Sequence, residues 1–239
     1  MTLDYGSFAK ASTLIHIAQG AGFMLLGVAE AYSLDNPGRK AALLGPLSLL
    51  AAAASIPLIM LALPGAWSLD QLRLALDMRG GFYLFLAFAS LLGAAGLSRI
   101  TQFAAQRHEG AWQALFLFFL AAIGLLYFFM ASRVNEEAWR QVMLWHAAAG
   151  VTLLLAVLLK AAHIFNGRRF LHVGWATLLL ATALQLLTYK ESPEAFSLRL
   201  VTFEAAPVLP PAAQPDKLPP AGNAGSAPHR SRPNSRLTK

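Results

Sequence analysis

The sequence predicts an all-α polytopic transmembrane helical bundle of six spans with a disordered C-terminal tail. Composition, charge placement and apolar run length predict it together. Of 239 residues, 56% are hydrophobic and only 13% charged, roughly half the charge of a soluble domain, which is about 25%. The charge is gathered in short loops and in residues 190–239. Between the loops lie six apolar stretches, 12–33, 41–63, 80–97, 111–131, 142–164 and 171–189. At about 1.5 Å per residue each is long enough to cross a hydrocarbon core of about 30 Å. In lipid such a segment must be helical, because no water is present to satisfy a bare backbone.

The first span follows MTLDYGSFAK, which is acidic early and offers no small-residue cleavage site after a short apolar core. It is expected to be retained and not to act as a signal peptide. The second span contains Pro57, expected to kink it, with Ser55 placed to hydrogen-bond the freed backbone. Tyr32, Trp67, Trp112, Trp139 and Tyr189 fall at or just beyond span ends, as an interfacial belt would place them. Six spans put both termini on one side, the terminal side. The far-side loops 34–40, 98–110 and 165–170 carry Arg39, Lys40, Arg99, Arg107, Arg168 and Arg169. The terminal-side loops 65–79 and 132–141 carry Arg73, Arg79, Arg133 and Arg140. This excess leans toward a cytoplasmic far side, and a bacterial inner (plasma) membrane is the expected location.

Residues 1–189 are thus read as a six-span domain and 190–239 as a separate tail. The tail holds nine of the thirteen prolines and ends in HRSRPNSRLTK. It cannot bury enough apolar surface to offset its ordering entropy and is expected to be disordered. Its basic end suits anionic lipid or a partner protein, or is simply solvated. The formal charge of +7 belongs largely to loops and tail, so the expected partner is the lipid bilayer and no nucleic acid. With no cysteine, disulfides, thiolate-held iron–sulfur clusters and covalently attached haem are excluded.

Histidines carry the chemistry. His16 and His146 lie near the starts of spans one and five, which run in the same direction, so both sit toward the terminal side. His163 ends span five and His172 starts span six, toward the far side, where the loop residue His108 also lies. His16-Ile-Ala-Gln-Gly20 and His146-Ala-Ala-Ala-Gly150 share the pattern H-x-A-x-G. A glycine one turn beyond an imidazole clears space on the same helix face, as a flat macrocycle bound edge-in requires. Small residues at this spacing equally suit close helix packing. His146 and His163 are separated by about 25 Å of helix, near opposite faces of the bilayer. About 100° of helical rotation separates their side chains, and FNGRRF is a short link to His172.

In these histidines and glycines of spans one, five and six the chain resembles the cytochrome b561-like membrane b-type cytochromes. Spans two to four carry no matching motif. The resemblance implies haem b, with His16 and His146 as axial metal ligands of one haem. It implies a second haem held by His163 with His172 or His108, and propionates near Arg140, Arg168 and Arg169. Electrons would then pass between a quinone or small reductant and a redox partner protein, the chain serving as the electron-transfer subunit of an oxidoreductase.

Two other readings remain open. The chain can be a non-catalytic membrane protein that anchors or assembles a partner complex. Met60, Met78, Met130 and Met143 lie toward the terminal side, Met143 on the face of His146, and thioether with imidazole suits copper handling; methionine is also an ordinary apolar filler. Glu30 and Lys160, ionisable and within spans, are expected to pair with each other, or Glu30 with Arg39. No acidic residue lies at mid-membrane depth, which argues against a proton-coupled pump. No nucleophile–base arrangement or phosphate-binding loop is present.

Overall fold

The computed structural model describes residues 5–36, 40–105, 110–191 and 193–196. Among them are seven α-helices and no strand: α1 (Tyr5–Ser33), α2 (Leu44–Ala62), α3 (Leu69–Met78), α4 (Tyr83–Ala104), α5 (Gly110–Leu126), α6 (Glu136–Asn166) and α7 (Arg169–Thr188). All but α3 are, with their flanking 3-10 turns, long and apolar enough to cross a membrane. The protein is therefore an integral, multi-pass helical membrane protein. Helix α1 starts at Tyr5, ahead of the apolar stretch that begins at residue 12, and polar Ser12 is buried and hydrogen-bonded within the bundle.

The six long helices close into a ring. Each packs on the next in the chain, α1 on α2, α2 on α4, α4 on α5, α5 on α6 and α6 on α7, and α7 returns to α1. Phe23, Phe88, Phe116, Leu120, Tyr127, Leu153, Trp175 and Leu179 fill the interior. Leu25, Leu58, Phe118, Leu158 and Phe170 stay exposed, as lipid-facing residues must. Lipid tails are as apolar as leucine, so the helices associate through close packing and polar contacts and not through hydrophobic burial. Ser48 Oγ of α2 donates to Gly22 O of α1 at 2.9 Å. Thr152 of α6 meets Thr182 and Gln185 of α7 at 3.0 and 2.9 Å.

Three expectations are corrected. In helix α2, which holds Pro57, Ser55 Oγ donates to Ala52 O at 2.9 Å and not, as expected, to the Ala53 carbonyl that the proline leaves free. Residues 65–79 are not simply a loop. After Ala66 and Trp67, both left-handed (φ 44° and 61°), Ser68 caps α3 by accepting from Gln71 N. The break placed after residue 189 also falls within packed chain. Pro193–Phe196 forms a 3-10 turn whose Ala195 and Phe196 are buried. It is tied down by Asn135 N to Ala195 O (3.0 Å) and Arg79 Nη2 to Phe196 O (2.9 Å). Phe196 fills a gap beside Phe8 and Phe82, which its proline-rich surroundings conceal. The disorder expected of residues 197–239 lies outside the described residues.

A candidate bis-histidine centre

His16 on α1 and His146 on α6 meet inside the terminal end of the ring, both buried. Their helices are not close neighbours; each flanks α7. The side chains span the gap with Nε2 to Nε2 at 2.9 Å. The ring centroids are 5.2 Å apart, which is the nitrogen separation plus one ring radius on each side. The two lone-pair axes are therefore nearly collinear.

Hydrogen accounting makes this contact informative. His16 Nδ1 donates to Ser12 O at 2.6 Å and His146 Nδ1 to Val142 O at 2.7 Å, each four residues back in its own helix. A carbonyl can only accept, so both Nδ1 atoms carry hydrogen. Two neutral imidazoles then have none left for Nε2, and two lone pairs face each other. At 2.9 Å the gap matches a proton shared between the two nitrogens, and a metal ion on that axis would need it to widen. Backbone-anchored Nδ1 is also how metal-binding histidines are held.

The surroundings are aromatic and tightly packed. Tyr189, just beyond α7, lies 4.6 Å from the His16 ring and 4.9 Å from the His146 ring. Phe85 stands at 6.0 Å from His16 and Tyr127 at 6.1 Å from His146. One turn deeper, Gln19 Oε1 accepts from Tyr127 at 3.3 Å while its buried Nε2 has no partner among the described residues. Outward from His16, Ser12 Oγ donates to Glu191 Oε2 (2.5 Å) and accepts from Arg133 Nη1 (2.9 Å). Arg133 and Glu191 form an ion pair at 2.7 Å, with side chains 0% and 1% exposed. Gly81 gives Arg133 its seat, since a Cβ there would stand 2.5 Å from the Arg133 Cα.

The donor atoms are of the kind that hold haem iron, but the site as packed leaves no room for a macrocycle. Metal–imidazole bonds of about 2.0 Å require the rings to part by roughly 1 Å. The space is closed as it stands, because the crevice at His146, lined by Trp145, Ala149, Gln185, Leu186 and Tyr189, holds only about 10 Å³. Gly20 and Gly150 do not open it. A Cβ on Gly20 would meet Leu187 Cγ at 2.8 Å, and one on Gly150 would meet Gly124 O at 2.7 Å. Both glycines permit close helix packing, the second role that their H-x-A-x-G context allows.

The far-side residues form a different object. Buried Glu30 receives Arg99 Nη2 (2.6 Å), Lys160 Nζ (2.9 Å) and Trp175 Nε1 (3.1 Å). His172 Nε2 donates to Glu30 O at 3.1 Å, and its Nδ1 accepts from Lys160 at 3.3 Å. His163 is close, with ring centroids 5.0 Å apart, and its Nδ1 donates to Arg168 O at 3.0 Å. With both His172 nitrogens engaged, the pair is not arranged as axial ligands. His108 and Arg39 lie outside the described residues. The expected propionate partners Arg140 and Arg168 are exposed, and Arg169 pairs with Asp35 at the surface. Met60 and Met130 are fully buried core fillers, Met78 is half exposed, and Met143 packs against the core.

The fold and site define a class, the multi-pass helical membrane protein with a buried, head-on histidine pair. Comparison with protein-family models, characterised proteins and solved structures finds no match.

Proposed function

We propose that this chain is a membrane electron-transfer subunit of the b-type cytochrome kind, carrying a single haem b between His16 and His146. One observation carries the reading: two Nε2 lone pairs aligned at 2.9 Å with both Nδ1 hydrogens already committed. When bound, haem iron supplies a one-electron couple. The chain's own part is to fix both imidazole tautomers through Ser12 O and Val142 O, so that only Nε2 is presented. Burial within the ring excludes water from the pair. Gln19 and Arg133 place polar groups within a turn or two of His16. Quinone or a redox protein on the terminal side would be the electron partner, and the inner membrane of a bacterium the setting.

The collinear lone pairs also point as a two-coordinate cuprous ion with imidazole ligands would need, once the rings part by roughly 1 Å. A dithionite-reduced minus oxidised spectrum of detergent-purified protein, expressed with ample haem, tests the first reading. A b-type α band with low-spin character is expected. Its absence, together with copper found by metal analysis, would replace haem by copper at the same two nitrogens.

A further inference from the structure

At its far-side end the bundle carries a hollow that its own packing does not fill. It lies between the last turns of α1 and the start of span two and has a volume of about 220 Å³. Leu25, Val28, Ala29, Tyr32, Ala41 and Leu44 line it. Ala29 is buried, while Leu25, Val28, Tyr32 and Leu44 stand out toward lipid. The two walls are pinned and cannot close over the space. Beside Leu44, a Cβ on Gly45 would stand 2.8 Å from Leu26 Cδ1 of α1, and Ser48 Oγ donates to Gly22 O at 2.9 Å. Beside Ala29, Glu30 is held from within the ring by Arg99 (2.6 Å) and Lys160 (2.9 Å). An apolar void without contents forfeits the dispersion contacts of its lining. In a bilayer the filler at hand is a hydrocarbon chain.

A charge adjoins the hollow. Lys40 is the first residue of span two and precedes Ala41 in the 3-10 turn Lys40–Leu43. It is exposed and has no ion pair among the described residues. Arg99 and Lys160 by contrast share Glu30, and Arg169 pairs with Asp35. Tyr32, in the last turn of α1, marks the depth, because a phenol settles at the boundary between headgroups and chains. We propose that this hollow seats one acyl chain of an anionic phospholipid whose phosphodiester pairs with Lys40. The far-side leaflet is the one that the loop cations mark as cytoplasmic, where anionic lipid attracts lysine. A zwitterionic lipid offers the same chain, but its own ammonium group offsets the phosphate. The site is independent of the histidine pair and of what that pair binds.

The full chain is placed in nanodiscs of equal parts phosphatidylglycerol and phosphatidylcholine, and the lipids it keeps on release are identified by native mass spectrometry. Wild type is expected to keep phosphatidylglycerol about five-fold over phosphatidylcholine, the factor that one lysine near a charged membrane surface supplies. Lys40→Glu should abolish that preference. Ala41→Phe, at a partly exposed position in the wall, fills the hollow and should abolish retention of either lipid. The basic tail is the same in every variant, so these differences report the hollow. Retention by Ala41→Phe equal to that of wild type, or a preference that survives Lys40→Glu, overturns the site. So does a wild type that keeps no lipid. A dimer seen in wild type and lost in Ala41→Phe overturns it in favour of a second copy of the chain as the occupant. Should Ala41→Phe fail to fold, Val28→Phe fills the hollow from α1, with the same loss expected.

Discussion

His16 and His146 touch through the one nitrogen that each has free. Their Nε2 atoms are 2.9 Å apart, while Ser12 O and Val142 O hold the opposite sides of the rings. Coordination between them therefore needs both, and neither is replaceable by another histidine. His16→Ala or His146→Ala should each remove the low-spin b-type signal entirely, with haem content falling at least ten-fold. His163→Ala should leave it unchanged, since His163 Nδ1 serves the Arg168 carbonyl at the other end of the ring. Haem quantification on the purified variants checks this; a signal that survives His146→Ala would disprove the pairing.

Glu30 is the centre of a buried cluster in which one carboxylate serves Arg99, Lys160, His172 and Trp175. Removing it strands two cations away from water. Glu30→Gln should cost about 3–5 kcal/mol, the usual penalty for breaking a buried ion pair from one side. Lys160→Met should cost less, because Arg99 remains on Glu30 Oε1 at 2.6 Å. Thermal unfolding in detergent gives the order directly. A milder effect from Glu30→Gln than from Lys160→Met would show that the carboxylate is not the hub.

The two glycines of the H-x-A-x-G pattern differ in what an added methyl meets. On Gly150 it strikes the Gly124 carbonyl at 2.7 Å, which is backbone and cannot turn aside. On Gly20 the nearest atom is Leu187 Cγ at 2.8 Å, part of a side chain that can change rotamer, with the Ala183 carbonyl at 3.1 Å. Gly150→Ala should lower stability by about 1–3 kcal/mol, in the range of an overpacked core, and Gly20→Ala by less. Unfolding midpoints of the two variants measure this. Equal loss would place the strain elsewhere than at the α5–α6 crossing.

What was legible in the sequence follows the reach of each signal. Span number comes from local hydropathy, which lipid enforces helix by helix. The His16–His146 pair was legible because both residues stand alone on apolar faces at matched depth. Arg133, Ser12, Tyr189 and Glu191 were not, because their contacts arise only when three separate elements converge. Arg133 ends an apolar run, FFMASR, and so reads as an ordinary loop cation. Glu191 sits at the edge of a proline-rich stretch, where composition points to solvent. The far-side histidines misled because proximity alone does not reveal which nitrogen is already engaged.

Helix α3 bears most directly on orientation at the terminal-side interface. It buries Ala75 and Leu76 against the bundle and leaves Leu69, Leu74 and Met78 exposed beside Asp70, Arg73 and Asp77. Trp67 precedes it, 71% exposed. A short helix with one packed face and an exposed charged strip flanked by leucines should lie in the plane of the interface, where indole is favoured. In a variant that keeps Trp67 as the sole tryptophan, shallowly brominated lipids should quench its fluorescence strongly and deeply brominated lipids weakly. Leu69→Glu with Leu74→Glu should weaken the shallow quenching by lifting α3 toward water. Quenching by a soluble ion but by neither lipid would place α3 off the membrane, and the terminal-side face would then be open to solvent.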